Sequence, residues 1–256
     1  MTFITRHPFR TASVVLVVVL AGVGYWFWQG LHSSTPADAN AAVAEFRESG
    51  AAEAATRPGV PAPGVYRFRQ RGEERAGSGP LTISRSFPGE ALYIVRPIAG
   101  GYHEDLRMSA EHVEEVRFRV DRAGSHALWR RTKITFAGMG TDDRDDVTPP
   151  SLDHPSDLSV GRAWDGRYQQ GKMTVDYRAR VTGREAVTVD GKRVPAFVIR
   201  MQSDFEGPTS GSRTDVFHWA PSLSLPVRWS IQQTTSGESE FEMDATLELE
   251  SAVPQT

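Results

Sequence analysis

Met173-Thr174-Val175-Asp176-Tyr177-Arg178-Ala179-Arg180-Val181-Thr182 alternates apolar and polar residues with period two. Successive side chains of a strand point to opposite faces, so Met173, Val175, Tyr177, Ala179 and Val181 share one face and Thr174, Asp176, Arg178, Arg180 and Thr182 the other. One dry face and one wet face is the signature of an antiparallel sheet. The pattern recurs in Phe241, Met243, Ala245, Leu247 and Leu249, alternating with acids and Thr246. Shorter examples are Tyr66 and Phe68, Leu81 and Ile83, and Val116, Phe118 and Val120. Turn chemistry lies between such runs: Asp190-Gly191 predicts a tight hairpin, and Gly207 to Gly211 and Ser236-Gly237 mark two further connections. Helical periodicity is weak, with Glu111 to Val116 the one ambiguous spot. The expectation is a mainly β domain over 64–256, an antiparallel curved sheet forming a half-barrel or open barrel of about ten meandering strands.

An internal echo, Tyr66-Arg67-Phe68-Arg69-Gln70-Arg71-Gly72 against Tyr177-Arg178-Ala179-Arg180-Val181-Thr182-Gly183, is compatible with two structural halves or with chance in an arginine-rich β chain.

Outside this domain the chain changes character. Ala12 to Trp28 is 17 residues without a charge, about 25 Å of helix at roughly 1.5 Å per residue, and Gln29 to Leu31 extend it towards hydrocarbon thickness. Arg6, His7 and Arg10 precede it and Tyr25, Trp26, Phe27 and Trp28 close it. Basic residues before the span and an aromatic belt after it predict a cytoplasmic N-terminus at 1–11, a single-pass transmembrane anchor at 12–31 and an extracytoplasmic remainder in the cell envelope. A cleaved signal peptide ending near Ala37-Asp38-Ala39 is the competing reading, and it exports the same domain. Residues 32–63 read as an Ala/Pro-rich stalk, in which Asp38 could cap a short helix through about Ala55 with only Val43 and Phe46 to bury.

Composition excludes several classes of function. No cysteine is present, which rules out disulfides, thiolate metal sites and cysteine nucleophiles. With Arg6 and Arg10 inside, the exported part carries 27 basic against 32 acidic residues, an unpromising balance for nucleic acid. Only Lys133, Lys172 and Lys192 are lysines; such an arginine bias fits GC-rich coding, and a phosphate-gripping surface is the functional alternative. Asp142, Asp143, Asp145, Asp146, Asp153, His154 and Asp157 read as a solvated acidic loop, interrupted by Pro149, Pro150 and Pro155; a calcium site is the functional alternative, without EF-hand spacing. The seven histidines form no zinc motif, no G-x-S-x-G is present, and no cofactor or catalytic residue is implied.

Aromatic side chains are more informative. Phe217 and Trp219 share one face of a strand, and Val227, Trp229 and Ile231 share a face of the next. One apolar sheet face with no amphipathic helix to cover it must close on itself or be filled by something else.

Val187 to Gln232 contains V-x-V-D-G-K-R-V-P-A-F-V-I-R, then Thr214-Asp215-Val216-Phe217-His218-Trp219-Ala220-Pro221 and Leu223-Ser224-Leu225-Pro226-Val227-Arg228. This stretch resembles the DUF3108-like and LolA/LppX-like exported bacterial proteins, with Ser224 where a glycine is expected. Gly64-Val65-Tyr66 following a Pro-rich stalk also resembles membrane-anchored proteins of high-GC Gram-positive bacteria. The resemblance implies a concave apolar face suited to lipid-like ligands and transfers no catalytic residue. Residues and resemblance together predict a non-enzymatic, membrane-anchored carrier or binding module for an apolar or cell-envelope ligand, with Phe217, Trp219 and Trp229 as its lining. A closed structural or protein-interaction module is the first alternative, and an envelope hydrolase using loop carboxylates the second.

Overall fold

The computed structural model describes residues 34–51, 59–78, 81–136, 138–237 and 239–256. The expected span at 12–31 lies outside them; among the described residues no helix is long and apolar enough to cross a membrane. Among the described residues one helix, α1 (Ala39–Glu48), precedes thirteen strands: β1 (Gly64–Ser78), β2 (Leu81–Ser86), β3 (Glu90–Ile98), β4 (Gly101–Arg107), β5 (His112–Val120), β6 (Gly124–Phe136), β7 (Met139–Pro155), β8 (Ala163–Gln170), β9 (Met173–Val189), β10 (Lys192–Glu206), β11 (Ser210–Ala220), β12 (Leu225–Ser236) and β13 (Glu240–Leu249).

Neighbours in sequence are neighbours in the sheet from β3 through β13, and β1 pairs with β13 to close the ring. β3 and β2 share the other edge of β1, β3 along Gly64–Arg69 and β2 along Glu73–Ser78. Without β2, twelve antiparallel strands form a closed barrel. The expected open half-barrel of about ten strands is therefore corrected. Closure joins Phe68↔Leu249 through Gly77↔Glu240, pairing backbone groups that an open sheet would leave as two bare edges.

Some of the additional strands were hidden by composition. β7 contains the aspartate-rich stretch read as a loop, yet it is hydrogen-bonded to β6 from Phe136↔Met139 onward. Charge complementarity makes this possible: Asp142 accepts hydrogen bonds from Arg131 Nε at 2.6 Å and from Arg144 Nε at 3.3 Å.

Alternation assigns the faces. Tyr66, Phe68, Tyr93, Val95, Val175, Val181, Ile231 and Leu247 point inward and are buried. The outer face carries ion pairs such as Arg75–Glu242 and Arg228–Glu248. The Asp190-Gly191 turn has φ of 49° and 71°, both left-handed, which places its flanking runs in the β9–β10 hairpin.

Asp38 caps α1, its carboxylate accepting from the backbone N–H of Asn40 and Ala41. Phe46 and Ala42 are fully buried against Val65, Leu92 and Ile94 on the outer face of β1 and β3. Ala51, Val43, Ala39 and Ala37 join them, and Ala91-Leu92-Tyr93-Ile94-Val95, apolar on both faces, supplies the other half of the contact. Thr35 O accepts from Ala110 N, Ser34 Oγ donates to Ser86 O, and Arg47 Nη2 donates to Thr256 O, so both ends of this segment are tied to the barrel.

Candidate functional site

The barrel interior is not uniformly apolar. On β5 the inward face runs His112, Glu114, Val116, Phe118; on β11 it runs Arg213, Asp215, Phe217, Trp219; on β1 it runs Tyr66, Phe68, Gln70, Gly72, Glu74. Each strand is thus apolar towards one end and charged towards the other. Folding brings the charged ends together.

They form one chain of alternating sign across the interior of the ring. Arg85 donates to Glu74 Oε1 from Nε at 2.7 Å and from Nη2 at 2.5 Å. Glu74 Oε2 lies 2.6 Å from His112 Nδ1. His112 Nε2 stands 3.4 Å from Glu114 Oε1, an ion-pair distance without hydrogen-bond geometry. Arg213 Nη1 donates to Glu114 Oε1 at 2.8 Å, Arg213 Nε to Asp215 Oδ2 at 3.0 Å, and Trp229 Nε1 to Asp215 Oδ1 at 2.9 Å. The rings of Phe87 and Phe241 flank His112, and Arg85 stacks over Phe136 at 4.0 Å.

Electrostatics follow from this order. Burial acts to lower the His112 pKa, but Glu114 and Glu74 outweigh it and raise it to about 9, so the imidazole is a cation at neutral pH. Burial acts to raise Glu114, and Arg213 with His112 overcomes it, holding the carboxyl well below its ordinary range. Glu74 is lowered against burial by His112 and Arg85. At Asp215 burial prevails over Arg213 and Trp229, and the pKa is raised.

A second polar group lies on the strands either side of β5, next to Glu114. Val95, Glu104, Val116 and Arg130 are side by side in register across β3, β4, β5 and β6, all facing inward. Burial raises Glu104 to about 8, against the opposing hydrogen bond from Tyr93 Oη, so its carboxyl is predominantly neutral at pH 7. Arg130 stands near Tyr168, Asp153, Arg213 and Glu104, yet makes no hydrogen bond or ion pair within the described structure.

The three aromatic residues singled out in the sequence all face the interior. The Phe217 and Trp229 rings are 5.0 Å apart, and Trp219 packs 4.1 Å from the His154 ring of β7. Trp229 belongs to the larger apolar cluster and Trp219 to a second, with Phe217 touching both. Sequence reasoning missed the charged chain, although its members occupy the same alternation positions as their strands' core residues.

Two features bear on access. Glu114 and Arg213 are enclosed by the barrel, yet 13% and 16% of their side-chain surfaces stay accessible. The wall is also uneven: β7 meets β8 only through Val147↔Gln170 and Thr148↔Gln169, whereas the β8–β9 junction runs from Ala163↔Arg180 to Gln170↔Met173. On its other edge β7 departs from β6 between Trp129↔Asp146 and Ala127↔Ser151. Among the described residues no group of three or more histidine, aspartate or glutamate side chains could hold a metal ion.

No family model matches the chain, so the DUF3108-like and LolA/LppX-like resemblance of Val187 to Gln232 gains no family assignment. No curated protein matches it either. A solved structure similar to it is that of the hypothetical lipoprotein YmcC from Escherichia coli (K12), at 9% identity, covering 79% of this chain and 95% of that one, with a TM-score of 0.33.

Proposed function

We propose that the chain is a membrane-anchored, extracytoplasmic binding or carrier module that receives an apolar or amphiphilic cell-envelope ligand inside its barrel. The observation that carries this reading is the accessible surface left on enclosed interior side chains, Glu114 and Arg213 among them. Phe217 adds to it, because it faces inward between Trp219 and Trp229 and is still only partly buried. A protein interior normally packs as densely as an organic crystal, so retained accessible surface inside a closed wall marks room for a guest. Phe217, Trp219 and Trp229 form the apolar part of the lining in this proposal. The short β7–β8 junction is the place where that wall has fewest backbone bonds to break, and it serves as the entrance.

The anchor at 12–31 fits the same picture. Described structure begins at Ser34, bonded to Ser86, and Thr35, bonded to Ala110 and Glu111. Only residues 32 and 33 separate these contacts from the end of the span, which would hold the β4–β5 turn close to the bilayer.

Native mass spectrometry of full-length protein released from detergent micelles tests carriage. Retained lipid, or stoichiometric uptake from added lipid, is the expected result; a clean unliganded mass with no uptake overturns it.

A further inference from the structure

Arg130 stands apart from the other inward arginines. Arg85 is bound to Glu74 and to Thr135 O, and Arg213 to Glu114 and Asp215. Arg130 has no such partner, and its Nε is wholly shielded from solvent. Leaving a guanidinium unpaired in a low-dielectric interior is costly, and burial alone would lower its pKa. Opposing electrostatics, Asp153 among them, outweigh burial and hold its pKa raised. Asp145, its register partner on β7, and Asp153 make no ion pair with it, and Glu104, two strands away on the same wall, is held predominantly neutral at pH 7 by burial.

The surroundings are apolar in one direction. Tyr168, which acts on Arg130, belongs with Val147 to a cluster that continues through Ile199 and Phe197 to Trp219, with Phe217 packed against it. Arg130 is paired in register with Asp145, two residues before the Val147–Thr148 junction with β8.

We propose that Arg130 receives the head group of a monoanionic amphiphile, a long-chain carboxylate, whose chain lies along the Phe217 and Trp219 side of the interior. The planar guanidinium fork matches a carboxylate in a two-point hydrogen bond. One unpaired fork supplies one charge, which favours a carboxylate over a dianionic phosphate monoester, since Arg213 is already committed to Glu114 and Asp215. This assignment deepens the carrier reading and rests on it.

The test uses full-length protein in dodecyl maltoside, with decanoate labelled with carbon-13 at the carboxyl and decanol labelled at the same carbon, followed by NMR. Expected for the native chain is a saturable bound decanoate resonance whose titration midpoint lies below that in protein-free micelles. Arg130→Met is expected to weaken decanoate at least about tenfold while decanol binding is unchanged, and Arg130→Lys to fall between. Melting curves establish that each variant is folded, and Arg130→Lys keeps the charge should Arg130→Met fail to fold. Decanoate bound equally by native protein and both variants, with decanol also bound, overturns the role of Arg130 and leaves carriage standing. Neither probe binding to native protein overturns both. Displacement of decanoate by millimolar inorganic phosphate overturns the amphiphile in favour of a free anion.

Discussion

Glu114 and Arg213 meet at 2.8 Å although their strands, β5 and β11, lie six places apart around the twelve-strand ring in either direction. No two strands of this barrel stand further from each other in hydrogen-bonded order. The contact therefore pins opposite walls together. Both groups are enclosed, and removing either takes the closest counter-charge from the other, leaving Arg213 with Asp215 alone or Glu114 with His112 alone, a change that costs about 3 kcal/mol. Glu114→Met and Arg213→Met should each lower the melting temperature by roughly 6–12 °C for a domain of this size. The double variant Glu114→Met/Arg213→Met should be less harmful than the sum of the two, since it removes both charges from the interior. Thermal melting of all four proteins checks this, and strictly additive losses would show that the pair is uncoupled.

Raised pKa values at Glu104 and His112 set the direction of the pH dependence. Glu104 rises from 4.5 to about 8, and His112 from 6.5 to about 9. A group that holds its proton more tightly when folded contributes stability below its unfolded pKa and loses it as pH climbs through the folded one. Stability should therefore decline between about pH 5 and pH 9, through Glu104 first and His112 last. The groups facing Glu104 are Tyr93, Asp153, Arg130 and Glu114, while those facing His112 are Glu74 and Glu114, with Arg85 beyond Glu74. Glu104→Gln should flatten the decline below pH 8 and preserve the part above it. Melting temperatures from pH 5 to 9 measure both limbs; an unchanged slope in the variant would show that Glu104 is not the titrating group.

The sheet was legible because its alternation is local: Met173 to Thr182 and Phe241 to Leu249 declare their two faces without reference to any other strand. Closure was not, because it depends on Phe68 meeting Leu249, residues almost a whole domain apart with nothing nearby to announce the pairing. β7 was hidden for another reason. Its aspartates read as loop until Arg131, on the adjacent strand, is seen to neutralise Asp142. The inward direction of Phe217, Trp219 and Trp229 followed from parity. The charged chain obeys the same parity, Glu74 in line with Phe68, and Glu114 with Phe118. A charged residue at a core position was the available signal, but which charges would meet is fixed by the ring, not by the strands.

Gly72 shows what closure demands of a single position. Its φ is +133°, and a Cβ there would meet Asp244 O of β13 at 2.0 Å. Gly183, its counterpart in the sequence echo, would present a Cβ to nothing within 4 Å. The two glycines thus serve different purposes, although the heptads around them look alike. Gly72→Ala should cost at least about 2 kcal/mol by forcing β1 and β13 apart, while Gly183→Ala should stay within about 0.5 kcal/mol of the native chain. Urea unfolding of both variants makes the comparison, and equal stabilities would mean that the β1–β13 junction does not hold the ring.

Phe46 decides whether α1 belongs to the barrel's stability or merely precedes it. Its ring is fully buried against Val65, Leu92 and Ile94, while Glu45 on the neighbouring helix position pairs with Arg107 at 2.6 Å. The sequence carries one sign of this docking: Ala91 to Val95 is apolar without interruption, as expected of a strand covered on both faces rather than wetted on one. Phe46→Ala removes a large buried side chain and should cost about 3 kcal/mol in global stability if the helix unfolds with the barrel. Glu45→Ala, which removes one exposed partner of Arg107, should cost less than about 1 kcal/mol. Measured by hydrogen exchange, Phe46→Ala should also raise exchange at Leu92 and Ile94, whose outer faces it uncovers. Native-like stability and unchanged protection of β3 would instead assign the helix to a separable stalk.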